Sequence, residues 1–265
     1  MPEPRTQNRY QALIEGIFFD HWHQGITAFE FARSEIEAKA VDLEIVLPRN
    51  VGDVLYAIRY RSALPQRVLE TQTDGKEWII EGAGRSRYRF RLVTTTRIVP
   101  RDDLVVIAIP DSTPELIRAY ALDDEQALLA IVRYNRLIDT FLGLTTYSLQ
   151  NHLRTTVTGI GQIEIDELYF GIDRNGCHYA IPVQAKGGSD QIGVVQTTQD
   201  IKFVEDRFPG LRSRAISVQF MPGGIVAMFE LRLQGDELRV VEERHYKLVP
   251  SDQLDRESIR SYRGS

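Results

Sequence analysis

The sequence has little cysteine, no long apolar run and no overall excess of positive charge. Cys177 is the only cysteine among 265 residues, which excludes an internal disulfide and a zinc site built from several cysteines. No run approaches about 18 apolar residues, and the start MPEPRTQNRY lacks the apolar core of a signal peptide. We therefore expect a soluble, cytoplasmic protein without a membrane partner.

The net charge of −5 is unevenly distributed along the chain. Residues 49–97 contain ten Lys or Arg against five Asp or Glu, whereas residues 102–265 contain 17 against 24. Because phosphate contact needs only local positive charge, the acidic total does not exclude nucleic acid as a partner. With 43% hydrophobic residues, the chain can bury one large core or two small ones.

The amino-terminal part has the pattern of a helical domain with a basic hairpin. Apolar residues recur at helical spacing in residues 9–24 and 28–44, which predicts two helices. Asn50 is placed to cap a third helix, which carries Arg59 and Arg61 near its end. Two strand-like runs, KEWIIEGA and RSRYRFRLV, follow it. Three helices followed by a basic hairpin resemble a winged helix-turn-helix domain, which implies binding of double-stranded DNA.

The second of these runs places an arginine at every other position. A strand would therefore carry four guanidinium groups on one face, with mostly apolar side chains on the other. One interpretation is an edge strand protected from aggregation by charge. We favour phosphate contact, since four arginines in register suit phosphate better than a mixed, protective edge does. The DNA-binding candidates are Arg59, Arg61, Arg85, Arg87 and Arg89, with Arg91 on the same predicted face.

Between the basic hairpin and the next motif, the sequence predicts connecting elements. LVVIAIPDSTPELIRAYAL is typical of a buried strand, a turn and a short helix, and DDEQALLAIVRYNRLIDTFLG predicts one long amphipathic helix. A domain boundary is placed near residue 100, so that residues 1–100 and 101–265 form two domains. The tail SDQLDRESIRSYRGS is polar.

The most informative stretch is GQIEIDELYFGIDRNGCHYAIPVQAKGG, residues 161–188. Alternating apolar residues, a turn signal at Asn175-Gly176 and an apolar return run predict a β-hairpin, which a helix and a further buried strand follow. Three acidic residues occupy four positions of the first strand, and Gln184 and Lys186 share a face of the second. Pairing across the hairpin brings the acidic residues near that face.

These residue types suit hydrolysis of a phosphodiester. A carboxylate and the amide oxygen of Gln184 can hold Mg²⁺, which prefers oxygen ligands, and Lys186 can orient or deprotonate a water. The pattern resembles the PD-(D/E)XK nuclease superfamily, in the variant where glutamine replaces the second acidic residue. The resemblance implies that Asp166, Gln184 and Lys186 are catalytic and that Asp166 and Gln184 bind the metal. The fold class it implies is α/β (α+β), with a restriction-endonuclease-like mixed sheet flanked by helices after the winged-helix-like domain.

Two features depart from that pattern or stay open. The Pro-Asp pair occurs far upstream, at Pro110-Asp111, where it more often ends a strand. A two-residue loop would place Glu167 opposite Gln184, whereas a shift of one places Asp166 there and Glu164 opposite Lys186. We select Asp166 as the ligand and keep the two glutamates as alternates. Gln196, Gln199 and Asp200 on the predicted following helix either face the substrate or form an ordinary polar face, which is more common.

The expected function is Mg²⁺-dependent cleavage of double-stranded DNA in restriction or another defence system. Cutting both strands suggests a homodimer, and a restriction role suggests a cognate DNA methyltransferase encoded nearby. One alternative is a non-catalytic DNA-binding regulator that uses only the winged helix. Another is a nuclease that acts on RNA or on branched DNA. A cleavage assay with and without Mg²⁺ separates the regulator from the nucleases.

Overall fold

The computed structural model describes residues 9–60, 63–94, 97–120, 125–187, 190–254 and 256–262. The chain divides into two compact units, one formed by Met1–Thr96 with Thr156–Gln162 and the other by Arg97–Thr155 with Ile163–Ser265. A large mixed sheet flanked by helices confirms the α/β class. No helix in the described ranges is long and apolar enough to cross a membrane.

The first unit contains a small sheet and short helices. In chain order they are α1 (Arg9–His21), β1 (Ala28–Ala32), α2 (Arg33–Asp42), α3 (Gly52–Tyr60), α4 (Gln66–Leu69), β2 (Glu77–Gly82) and β3 (Arg87–Val93). The three strands are antiparallel, in the order β1-β3-β2. Aromatic rings fill the core: the ring centroid of Phe18 lies 5.2 Å from that of Trp78 and 5.1 Å from that of Phe90, both edge-on.

The single helix predicted for residues 28–44 was wrong at its start. Phe29 and Phe31 alternate with period two in the segment that forms β1, and this strand pairs with β3. Helix α2 begins only at Arg33, where the backbone N–H of Ala32 donates to Glu35 Oε1 at 2.6 Å. The predicted cap of the third helix is confirmed, since Gly52 N donates to Asn50 Oδ1 at 3.2 Å.

The second unit contains the large sheet. In chain order its elements are β4 (Arg97–Ile98), β5 (Val106–Pro110), α5 (Glu115–Tyr120), α6 (Glu125–Tyr134), α7 (Leu137–Leu142), β6 (Thr145–Val157), β7 (Gly161–Ile172), β8 (His178–Lys186), β9 (Ile192–Gly193), α8 (Val194–Arg207), β10 (Arg212–Ser213), β11 (Ala215–Met221), β12 (Ile225–Gln234), β13 (Glu237–Val249) and α9 (Arg256–Ser261), with a 3-10 turn at Ser251–Gln253. The strand order is β5-β13-β12-β11-β8-β7-β6. Strands β7 and β8 are antiparallel, and β8 and β11 are parallel because α8 crosses between them.

Helices cover both faces of this sheet. Leu128 of α6 and Phe141 of α7 belong to the core cluster that contains Ile181 and Val183 of β8. Helix α8 belongs to a separate cluster, on the other face, with residues of β11 and β12. Because side chains alternate along β8, Gln184 and Lys186 lie on the face that α8 covers, although Lys186, at the end of the strand, still reaches the first residue of α6.

The long helix predicted after residue 122 is divided into α6 and α7. Arg136 has a left-handed backbone, with φ of 49°, which a continuous helix does not allow. The buried Asn135 stabilises the break: its amide nitrogen donates to Thr113 Oγ1 at 2.8 Å, and its oxygen accepts from Ser112 N at 2.7 Å. The first two residues of the predicted helix, 123 and 124, lie outside the described residues.

The β7–β8 turn is longer than the Asn-Gly pair alone suggests. Asp173 N donates to Cys177 O at 3.1 Å, and Gly176, with φ of 80°, occupies the left-handed position of the loop. The Asp173 carboxylate accepts from Asn175 N at 2.8 Å and from Cys177 N at 2.9 Å. The loop therefore has three residues, 174–176. Three-residue loops with a left-handed residue are a common connection in β-hairpins.

Candidate active site

The pairing of β7 with β8 decides which acidic residue faces Gln184. Glu167 lies opposite Val183. Continued by one residue, this register places Asp166 opposite Gln184, and Ala185 N donates to Asp166 Oδ2 at 2.9 Å. The structure thus has the second of the two predicted registers, in which Asp166 and Gln184 are brought together.

Asp166 is a buried carboxyl group with an unusual affinity for protons. Its side chain is 7% exposed. Burial raises its pKa to about 6, although the Ala185 N–H and the charge of Lys186 oppose the rise. A carboxylate that is poorly hydrated in this way gains much from a nearby cation, and perturbed groups of this kind are frequent at functional sites.

Gln184 lies at the centre of a buried hydrogen-bond network. Its Nε2 donates to Glu164 O at 3.1 Å and to Asp200 Oδ2 at 2.6 Å. Its Oε1 accepts from Gln196 Nε2 at 2.7 Å, which leaves one lone pair of that oxygen. The amide is therefore fixed by α8, and only the remaining lone pair of Oε1 is available to a metal.

Lys186 is held at the end of β8 by a residue that the sequence did not indicate. Its Nζ lies 2.8 Å from Oε1 of Glu125, the first residue of α6. Burial disfavours the ammonium charge, but the hydrogen bond and charge of Glu125, together with the charge of Asp166, outweigh it and raise the pKa of Lys186. Lys186 is therefore a cation beside Asp166.

Asp200 of α8 is the second carboxyl group of the site. It is 1% exposed, and its Oδ1 has no hydrogen-bond partner among the described residues. Burial raises the pKa of Asp200 well above its ordinary value; the charge of Asp166 adds to the rise, while the hydrogen bond from Gln184 and the charge of Lys186 oppose it. The only signal in the sequence was its helical spacing from Gln196, which equally fits a solvated polar face.

The two alternate glutamates have different surroundings. Glu164 shares the face of Asp166 but is partly exposed, and it accepts from Arg154 Nη2 at 3.1 Å. Glu167 lies on the opposite face, fully buried, where Arg133 Nη2 is 2.8 Å from its Oε1 and Ser148 also donates to it. Glu167 is therefore excluded as a ligand beside Gln184, because its charge is compensated on the α6 side of the sheet.

His152 and Arg154 border the site from β6. Residues 145–157 form a strand that neighbours β7. Burial tends to raise the pKa of Glu164, but the hydrogen bonds from Arg154 and His152, together with their charges, outweigh it and lower that pKa. His152 has a positive φ of 48°, a strained conformation that is frequent near functional sites.

The donor atoms of the site suit a hard cation. Asp166, Gln184 and Asp200 offer oxygen ligands only, which Mg²⁺ prefers, and the unpartnered Asp200 Oδ1 is a buried acceptor that a cation would satisfy. Within the described ranges, no three or more His, Cys, Asp or Glu side chains are grouped to hold a metal. A site at this position therefore depends on the neutral Gln184 as well as on carboxylates.

The arginine strand of the first unit is less basic than the sequence suggested. Glu81, 6% exposed, accepts from Arg89 Nε at 2.7 Å and from Arg91 Nε at 3.0 Å, so its single negative charge offsets part of the charge of the two guanidinium groups. Arg87 lies 2.9 Å from Glu30, but its side chain stays more than half exposed. Arg85 is exposed in the β2–β3 turn and has no ion-pair partner among the described residues.

Two DNA-binding candidates were not located. Arg61 lies outside the described residues, and Arg59 is described only by its backbone in α3. The catalytic candidates, in contrast, occupy one side of the β7–β8 hairpin together with Glu125 and Asp200. Such a set can bind a cation and an anion side by side. Comparison of the chain with protein-family models, curated proteins and solved structures found no match.

Proposed function

We propose that the protein is a Mg²⁺-dependent endonuclease that hydrolyses double-stranded DNA. The observation that carries the proposal is the position of Asp166 opposite Gln184, with Lys186 two residues further on the same face. The hairpin, the crossover helix α8 and the parallel strand β11 occur in the order expected from the resemblance to PD-(D/E)XK nucleases. This order supports a restriction-endonuclease-like fold for the second unit.

Each residue of the site has a defined task in this proposal. Asp166 and the free lone pair of Gln184 Oε1 would hold Mg²⁺, which when bound offsets negative charge on the scissile phosphate. Lys186 orients the attacking water and stabilises negative charge that develops on the phosphate oxygens. Glu125 holds Lys186 in its charged form, and Gln196 fixes the Gln184 amide.

The first unit is proposed to bind the DNA. Its order of helices and strands, with β1 added to the β2–β3 hairpin, supports a winged-helix-like domain. In that arrangement α3 and the hairpin approach the duplex, so that Arg59, Arg61, Arg85, Arg87 and Arg89 are candidates for phosphate contact. Arg85 and Arg87 are the strongest of these, because Glu81 compensates Arg89.

One alternative function has an observation in its favour. The Gln184 oxygen already accepts from Gln196, and a neutral amide binds Mg²⁺ more weakly than a carboxylate does. Both facts favour a non-catalytic DNA-binding regulator with a nuclease-like scaffold. A nuclease acting on RNA or branched DNA, a homodimer, a cytoplasmic location and a partner methyltransferase stay predictions.

A plasmid assay tests the main proposal. We expect purified protein to convert supercoiled plasmid to open-circular and linear DNA with Mg²⁺ but not with EDTA. Ca²⁺ should support DNA binding without cleavage, since it takes oxygen ligands with looser geometry. DNA binding without any metal-dependent cutting would instead establish the regulator.

The role of the basic turn can be measured separately. Replacing both Arg85 and Arg87 by Ala should weaken binding to all duplex sequences and reduce the log-log salt slope by about 1.8, since each phosphate contact contributes about 0.9. Fluorescence anisotropy at several salt concentrations measures the slope. The control is Arg67→Ala, which removes an exposed arginine of the same unit that pairs with Glu15. An unchanged slope in the double variant would exclude phosphate contact by these arginines; edge protection would not explain them either, because β3 is the central strand of its sheet.

A further inference from the structure

We propose that Asp200 supplies the second carboxylate of the metal site, the charge that position 184 lacks. The inference rests on the proposed function, because it assigns Asp200 a role in the same Mg²⁺ site. The sequence pattern places glutamine where a second acidic residue is expected, so the site is short of one negative charge. The structure places a carboxyl group from α8 directly against that glutamine.

The contact between the two side chains is short and buried. Gln184 Nε2 donates to Asp200 Oδ2 at 2.6 Å, and both residues are almost fully buried. The carboxyl group of Asp200 is therefore a direct neighbour of the side chain at position 184. Gln184 in turn acts as a bridge, because its other hydrogen bond from Nε2 goes to the carbonyl of Glu164, two residues before Asp166.

Three buried oxygens in this layer are available to bind a cation. Asp200 Oδ1 has no partner in the described structure, and the same holds for Ser217 Oγ and Gln219 Oε1. Ser217 lies opposite Gln184 in the parallel pairing, and Gln219 lies opposite Lys186. Buried acceptors without partners are costly and rare in proteins, and a bound cation or its waters would satisfy them.

The electrostatics of the site agree with this geometry. Burial raises the pKa of Asp200, and the negative charge of Asp166 adds to the rise, so the two carboxyl groups repel each other. A divalent cation held by both groups would relieve that repulsion.

The test is binding of Mn²⁺ without DNA, followed by electron paramagnetic resonance, since Mn²⁺ accepts the same oxygen ligands as Mg²⁺. Asp200→Asn keeps the size of the side chain and an oxygen that accepts from Gln184. We expect this variant to fold like the wild type and to bind Mn²⁺ on the order of 100-fold more weakly.

Two further variants make the result specific. Glu167→Gln removes a buried carboxylate from the opposite face of β7 and should leave Mn²⁺ affinity unchanged. The double variant Gln184→Glu with Asp200→Asn, the exchange variant, moves the negative charge from position 200 to position 184, its hydrogen-bond partner. This variant should recover most of the lost Mn²⁺ affinity. Circular dichroism and thermal unfolding confirm that each variant is folded, and the exchange variant gives a second measurement if Asp200→Asn alone unfolds.

The outcomes separate the inference from the proposed function. If Asp166→Asn removes Mn²⁺ binding but Asp200→Asn binds as the wild type does, Asp200 only anchors Gln184 and the inference is overturned. If neither variant weakens Mn²⁺ binding, or if the wild type binds none, the nuclease site itself is wrong. Weak binding in Asp200→Asn with recovery in the exchange variant supports both.

Discussion

Asp166→Asn is expected to abolish DNA cleavage and to stabilise the metal-free protein at pH 7. The folded-state pKa of Asp166, about 6, lies above the ordinary aspartate pKa of 3.8. A proton on Asp166 thus stabilises the fold fully below about pH 4, and this stabilisation is lost as the pH rises through 6. Asparagine keeps an oxygen that accepts from Ala185 N, and it does not titrate. At about 1.4 kcal/mol per pKa unit, the free energy of unfolding of the variant at pH 7 should exceed that of the wild type by about 3 kcal/mol.

Urea unfolding in EDTA at pH 4 and at pH 7 measures this difference. We expect the two proteins to have similar free energies of unfolding at pH 4 and the variant to be more stable at pH 7. The matched control is Asp173→Asn in the same hairpin, where backbone hydrogen bonds from Cys177 and Asn175 lower the pKa of the carboxyl group. That variant should gain no stability at pH 7. An Asp166→Asn variant that cleaves DNA normally would show that the site has been placed on the wrong residue.

Lys186→Ala should reduce the single-turnover cleavage rate on the order of 100-fold or more, with DNA affinity changed far less. The ammonium group lies beside Asp166 and is held by Glu125. Its loss removes the positive charge that stabilises the reacting phosphate and the group that orients the attacking water. Lys186→Arg should not restore the rate, because the planar guanidinium is bulkier and does not reproduce the compact ammonium group.

Rapid-quench measurements on a short duplex give the rate for each variant. Lys202→Ala on α8 serves as the control for loss of a lysine in the same unit. Circular dichroism shows whether each variant is folded. If Lys186 is only a solvated strand end, Lys186→Ala will cut at the wild-type rate, and the Gln184–Lys186 pair is then not the active site.

The hairpin shows how far the sequence alone leads. Alternation and the turn signal predict both strands, and the pattern limits the metal ligand to three acidic residues. The choice among them depends on whether the loop has two or three residues. The Asn175-Gly176 pair suggested a loop of two. The side chain of Asp173 accepts two backbone N–H groups and closes a three-residue loop instead. Local turn chemistry therefore selects Asp166, and it does so through an acidic residue outside the motif.

Other parts of the site depend on contacts that a linear pattern does not contain. Glu125 and Lys186 are 61 positions apart in the sequence. Their side chains meet because the first residue of α6 lies, in space, beside the end of β8. Asp200 reaches Gln184 because α8 crosses back over the sheet. The alternation of arginines along β3 was predicted from the sequence. The positive charge left on that strand was not, because it depends on Glu81 in the neighbouring strand. Pairing between strands decides such compensation, and the sequence pattern of one strand does not reveal it.

The three-residue loop has a consequence for the evolution of the chain. Exposed hairpin tips are ordinarily places where residues are gained and lost freely. Here, one residue more or fewer would turn β7 over relative to β8, so that Glu167 faced α8 and Asp166 met Arg133. The loop begins eight residues after Asp166, about 26 Å along the strand at about 3.3 Å per residue. Relatives of this chain should therefore vary in the side chains of this remote loop while keeping its length.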